Sequence, residues 1–390
     1  MSNERSVSVY PDDWGPPGVV FEGGAEVEGS AERAGGAAAP GPTPALVPGR
    51  RIVGYSAVLL PHTDGGEVDW VGFESLLGRT LDAGLIPAVN MDTGYVQLLP
   101  EPDRARVLAT AASLAGPGGF AAGAFVPDTQ GDGYDPAAYS RAAAQVAEAG
   151  GTPVVFPSWG LASLSGEGWV EAQASLGAEL DRFIAFELGD MFVPYGRIYS
   201  LEAYRGLLGI ASCIGAKHSS LSRQAEWDRL ALRNEVRADF SVFTGNDLAI
   251  DMVCYGSDYL LGLSAFAPEA FAERDRRWAA EEASFHELND LLQYLGFFAF
   301  RAPVPGYRHD AAMFLKLRGV IDSDVTPAGA PTRPDADRAV LADIADRLAA
   351  MGSVQPTKME CRASSALGDA TDRSANCSGR AGRSSVDPFQ

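Results

Sequence analysis

Lys217 is one of only three lysines in a chain of 390 residues that otherwise carries its positive charge on arginine; the other two, Lys316 and Lys358, lie far downstream. It ends a short apolar run, "CIGAK", and is followed by His218 and two serines. An amine differs there from a guanidinium in one useful way. Partial desolvation lowers its pKa and frees a lone pair that condenses with a carbonyl to a Schiff base. Glu187 closes a second apolar run, Phe183-Ile184-Ala185-Phe186, where a carboxylate is costly to bury without a role or a partner. The amine by itself points to imine chemistry, and the carboxylate asks for a role or a partner. The histidines at 62, 218, 286 and 309 form no HxH or HExxH ligand set, and the cysteines at 213, 254, 361 and 377 form no CxxC pair. The sequence therefore implies neither a metal nor a cofactor.

Such groups meet only if the fold gathers strand ends. Apolar runs at 51–60, 86–91, 120–126, 152–158, 182–188, 213–217, 240–245 and 258–264 read as strands, apolar enough to be buried on both faces as in a parallel sheet. Amphipathic helical patterns separate them, one at 68–84 with a closing glycine and one opened by Asp135 ahead of Pro136. The stretch "GPGGFA" at 116–121 fits a dinucleotide fingerprint by letters but precedes a strand, whereas that motif follows one and opens a helix. Eight β-then-α units without a fingerprint predict a closed (β/α)₈ TIM barrel, with its reaction site at the C-terminal strand ends. Lys217 and Glu187 both occupy such ends.

The barrel is assigned to 49–270, and 271–353 to a C-terminal helical appendage that covers one side of it or contacts another subunit. Residues 1–48 and 354–390 are poor in large apolar groups and read as a disordered leader and tail. Hydrophobic residues make up 46% of the chain, enough for a large core. With 51 acidic against 31 basic residues the net charge is -20, which opposes nucleic acid and anionic membranes as partners. Isolated cysteines, and no signal-like or membrane-length apolar stretch, imply a cytoplasmic protein. The run "LLQYLGFFAF" at 291–300 reads as an apolar patch that predicts a homodimer or homotetramer.

Four ordered segments resemble the dihydrodipicolinate synthase and N-acetylneuraminate lyase superfamily of class I aldolases, over roughly residues 50 to 320. "YSAVLLPHTDGGEVDWVGFESLLGRTLDAGL" is similar to its opening strand, turn and first helix, and "VNMDTGYVQLLPEPDRARVL" to the segment bearing its GTTGE loop. "IGAKHSS" resembles the segment of its Schiff-base lysine, and "FSVFTGNDLAIDMVCYGSDYLLGLSAFAPEAF" its seventh and eighth strands. The resemblance implies that Lys217 forms the Schiff base and that Thr93 and Gly94 seat the carboxylate end of a pyruvate-like substrate. It implies that Arg197 grips a distal acid group, and that Gly245 and Asn246 line the substrate, with Asn246-Asp247 shaping the seventh loop.

The departures are equally specific. Where the family has a proton-relaying threonine this chain has Asp92, and a carboxylate about 4 Å from a substrate carboxylate repels it by roughly 4 kcal/mol at an effective dielectric near 20. The family tyrosine belongs to a Tyr-Asn-x-Pro motif. Anchoring on Pro194 puts Met191 at its position; anchoring on the strand puts Glu187 there, the preferred register; Tyr195 is a third occupant, and the sequence leaves the three open. His62 and His218 stand where the family usually has other residues, and each reads as structural or as an acid/base group. The implied function is a cofactor-independent class I lyase or aldolase acting on a small carbonyl compound, a 2-oxo acid by resemblance, though not dihydrodipicolinate synthesis itself. The alternative is a barrel that has lost catalysis and serves as a ligand sensor or assembly partner.

Overall fold

In the computed structural model, which describes residues 44–352, the eight apolar runs become eight parallel strands. They are β1 (Gly54–Ala57), β2 (Ile86–Val89), β3 (Ala121–Ala124), β4 (Thr152–Val155), β5 (Phe183–Leu188), β6 (Cys213–Ser219), β7 (Ser241–Thr244) and β8 (Asp258–Leu261). The strands pair in chain order and β1 also pairs with β8, so the sheet closes into a barrel. The helices are α1 (Trp70–Asp82), α2 (Glu101–Ala115), α3 (Pro136–Glu148), α4 (Trp159–Ser163), α5 (Gly166–Gly177), α6 (Leu201–Leu208), α7 (Arg223–Val236), α8 (Pro268–Ala279), α9 (Ser284–Ala299), α10 (Tyr307–Leu317) and α11 (Asp337–Ala350).

The loops that leave the strand ends launch most of these helices with a side-chain cap. Asp69, Asp135, Ser158, Ser165, Ser200 and Ser222 each accept from the amide three residues on, which satisfies a donor the helix leaves orphaned. Strand alternation then divides the side chains between two layers. Ala57, Val154, Ile184, Phe186, Phe243 and Leu260 fill the barrel interior. Phe183, Ala185, Cys213 and Ala216 face outward against Trp169 and Leu176 of α5 and Tyr204 and Leu207 of α6.

The C-terminal helices join the main core rather than forming a separate body. Leu288, Leu292 and Leu295 of α9, Phe314 of α10 and Leu341, Ile344 and Leu348 of α11 are buried in one cluster with Phe73 and Leu77 of α1. The run 291–300 is thus mostly consumed by the chain's own core, because its apolar residues recur at helical spacing. Only Tyr294 (48%) and Phe297 (56%) stay exposed as large apolar groups. The expected boundary at 270 falls inside α8, the helix of the eighth unit. At the other end the expected leader is tied down before 49: the Val47 amide donates to the Cys254 carbonyl (2.8 Å), and its carbonyl accepts from Trp278 Nε1 (3.1 Å). The rest of the expected leader, 1–43, and the expected tail, 354–390, lie outside the described residues. Among the described residues no helix is long and apolar enough to cross a membrane.

Candidate active site

Lys217 points into the barrel. On β6 it is in register with Phe186 of β5 and Phe243 of β7, both interior residues, and its Nζ lies 4.5 Å from the centroid of the Phe186 ring. Gly245 makes room for its stem: a Cβ there would stand 2.8 Å from Lys217 Cε and 2.0 Å from Ser219 Oγ. Burial pulls the amine down to about 8, against the pull of Asp247 and Asp92, whose carboxylates act on it through space. The amine therefore gives up its proton more readily than an ordinary lysine.

Asp247, on the loop after β7, is the stronger of the two influences. Its carboxylate accepts from the Leu263 amide (2.8 Å), which ties the seventh loop to the eighth. Burial pushes this carboxyl up to about 7, with the Leu263 amide and Lys217 drawing it back.

Asp92 is the second acidic group, and it collects the most partners. It opens a 3-10 turn, Asp92–Gly94, between Asn90 (φ 50°) and Tyr95 (φ 58°), two left-handed residues that fold the chain sharply over the end of β2. Asp92 Oδ1 accepts from Gln97 Nε2 (2.7 Å) and Oδ2 from the Tyr307 hydroxyl (3.1 Å). Arg308 Nη1 donates to its backbone oxygen (3.1 Å) and to Oδ1 (3.3 Å). Thr93 Oγ1 lies 2.8 Å from the same Tyr307 hydroxyl, and Gly94 packs beneath Val58, where a Cβ would meet its carbonyl oxygen at 3.3 Å. Tyr307 stacks on Phe300 at 4.2 Å between ring centroids, and burial followed by the Asp92 charge pushes its phenol well up. The first turn of α10 is therefore part of this end of the barrel.

Tyr195 belongs to the loop after β5. It is half-buried against Trp159 (5.3 Å between centroids) and the interior cluster, and burial together with Asp92 and Asp128 raises it to about 12. At neutral pH it is a phenol, a proton donor rather than a base.

Glu187 is not brought to this cluster. It is in register with His218, one residue past the Phe186–Lys217 pair, so both side chains face the helices. Its carboxylate accepts from Arg229 Nε (2.6 Å) and Nη2 (2.7 Å), the Tyr199 amide (2.9 Å) and His218 Nδ1 (3.0 Å). Burial pushes Glu187 up, but Arg229 and His218 together outweigh it and hold the carboxyl at about 2. The buried carboxylate finds its partners on the helix side, because alternation along β5 turns it outward once Phe186 points in. Arg197 is likewise committed elsewhere: Nη1 donates to the carbonyls of Ala162 (2.8 Å) and Leu164, capping the end of α4.

The remaining positions are structural in their contacts. Met191 is 39% exposed in the loop after β5. Asn246 accepts from the Leu248 amide (3.1 Å), while its buried Nδ2 has no partner among the described residues. His62 packs edge-on to Tyr95 at 5.7 Å, and burial lowers its pKa. Sequence reasoning missed Tyr307 and Arg308, which lie more than two hundred residues from Asp92 and carry no motif, and it read Asp247 only as a loop former. The one available signal was a Tyr-Arg pair opening a buried helix.

No family model matches the chain, and no curated protein matches it. Solved structures do. The dihydrodipicolinate synthase from Thermotoga maritima aligns with a TM-score of 0.63 at 18% identity, over 78% of this chain and 100% of that one. The enzyme of that name from Rhodopseudomonas palustris gives 0.64 at 18%, over 78% and 99%. That from Acinetobacter baumannii, described in complex with pyruvate, gives 0.62 at 16%, over 78% and 100%. In fold, this chain is a dihydrodipicolinate synthase-like (β/α)₈ barrel with C-terminal helices.

Proposed function

We propose that this protein is a Schiff-base-forming lyase or aldolase of the class I type, acting on a small carbonyl compound through Lys217. The observation that carries the reading is a buried amine at the C-terminal end of the barrel with its pKa drawn to about 8. The likeness in fold to dihydrodipicolinate synthases supports it.

The free amine attacks the carbonyl carbon. The carbonyl oxygen takes up one proton from the amine and one from an acid and leaves as water, and the nitrogen acquires the positive charge of an iminium. Phe186 offers that cation its ring face, and Asp247 and Asp92 favour it electrostatically. The bond between the α- and β-carbons then breaks: its electron pair flows toward nitrogen to give an enamine, and the β-carbon departs as an aldehyde or ketone as its hydroxyl gives up its proton to water. Protonation of the enamine carbon regenerates the iminium, which water hydrolyses to release the product. Tyr195 and Tyr307 are the proton donors in this scheme, since both phenols stay protonated at neutral pH and both feel Asp92. The scheme runs in either direction. Self-association is part of the same proposal and rests on the exposed Tyr294 and Phe297 of α9.

The test is reductive trapping. Borohydride added to the protein with a panel of aldehydes, ketones and 2-oxo acids is expected to leave a mass gain on the peptide containing Lys217. Lys217→Arg is expected to abolish it, because a guanidinium stays protonated. If no compound in a broad panel labels Lys217, the sensor reading replaces this one; the displacement of Glu187 from the site is the observation in its favour.

A further inference from the structure

We infer that the carbonyl compound taken by Lys217 carries no carboxylate next to its carbonyl: the substrate is a neutral aldehyde or ketone rather than a 2-oxo acid. The inference rests on the Schiff-base reading and follows from a charge count at the end of the barrel. Above about pH 7, where the Asp247 carboxyl is ionised, two positive groups, Lys217 and Arg308, stand against two carboxylates, Asp92 and Asp247. An iminium on Lys217 keeps the lysine's charge, so a neutral substrate leaves this buried cluster balanced. A 2-oxo acid would add a third negative charge in a region walled by Phe186, Phe243 and Leu188.

No spare cation offsets it among the described residues whose contacts reach these loops. Arg308 is committed to Asp92, to the Pro305 carbonyl (3.1 Å) and to the face of Tyr95 (4.7 Å). Arg197 is committed to the end of α4, and Arg104 to the Leu99 carbonyl and the face of Phe125 (5.4 Å). The hydroxyl expected to seat a carboxylate, that of Thr93, is engaged by Tyr307, and the neighbouring Asp92 carboxylate is held in place by three side chains. It has no freedom to turn away from an incoming anion.

The experiment compares pyruvate with methyl pyruvate on the intact chain. The two share a ketone and a methyl group and differ by a charge. Trapping rates at Lys217 are measured with borohydride and divided by the rates of the same compounds with free Nα-acetyl-lysine, which removes intrinsic electrophilicity. The ester is expected to label at least tenfold faster after that correction, and Asp92→Asn and Asp247→Asn each to narrow the gap by admitting pyruvate. Pyruvate labelling Lys217 as fast as the ester or faster overturns this inference and leaves the Schiff base standing. No labelling by either compound, or by the wider panel, removes the Schiff base and the inference with it. The comparison on the unaltered chain decides the matter even if a variant fails to fold.

Discussion

Glu187 and Lys217 sit on adjacent strands one residue out of phase: Lys217 is in register with Phe186, and Glu187 with His218. That single step sends the amine into the barrel and the carboxylate into the layer beneath α7, where Arg229 grips it with two nitrogens.

Glu187→Gln should therefore act on stability and not on Lys217 chemistry. It leaves the Arg229 guanidinium, 3% exposed, without its anion, a loss of about 3–5 kcal/mol at pH 7. Because the folded carboxyl is held at about 2 against an ordinary 4.5, its stabilisation is complete above pH 4.5 and is lost as pH falls through about 2. Urea unfolding should show the largest gap between variant and parent near neutrality, narrowing from about pH 4.5 downward. A variant with unchanged stability and abolished trapping would return Glu187 to the site.

The pH dependence of trapping reports the amine. With the Lys217 amine drawn to about 8, the corrected trapping rate should climb about tenfold per unit below pH 8 and level off above it. Asp247 raises the amine's pKa, so Asp247→Asn should shift the plateau to lower pH. A midpoint near the ordinary lysine value of 10.5 would mean that the amine is solvated.

Gly245 is required by volume. Gly245→Ala puts a methyl 2.8 Å from Lys217 Cε and 2.0 Å from Ser219 Oγ, so the lysine stem must shift. Trapping should slow by at least tenfold in a protein whose circular dichroism is unchanged. Gly78→Ala, in α1 with ordinary helical backbone and nothing within 4 Å of the new Cβ, controls for the substitution itself.

Tyr307→Phe removes the hydroxyl shared by Thr93 and Asp92. Formation of the imine should survive within a few fold, because Lys217 is untouched. Exchange of the substrate's α-hydrogens with deuterated solvent should slow by roughly a hundredfold, a typical general-acid contribution. Equal losses in both readouts would make Tyr307 a packing residue instead.

Arg197→Ala should cost stability of about 1–2 kcal/mol through the unpaired carbonyls of Ala162 and Leu164, with no change in the preference between charged and neutral carbonyl compounds. A loss of selectivity for acids in this variant would restore its expected role as an acid grip.

Composition, strand runs and helix caps were local facts, and the sequence alone determined the eight-unit barrel from them. The position of Lys217 at a strand end was legible for the same reason: the five-residue run 213–217 closes on its one amine. The face on which Glu187 lies was not, because period-two alternation reverses with a one-residue change of phase, and the phase between the two strands is set in their pairing, where β6 carries the extra residue Ile214. Nor was the partnership of Asp92 with Tyr307 and Arg308. Those residues are 215 and 216 positions away and meet only because α10 packs its first turn against the end of the barrel. Tertiary packing alone decided which carboxylates face the amine, and an ion pair's meaning depends on which charges share its buried space.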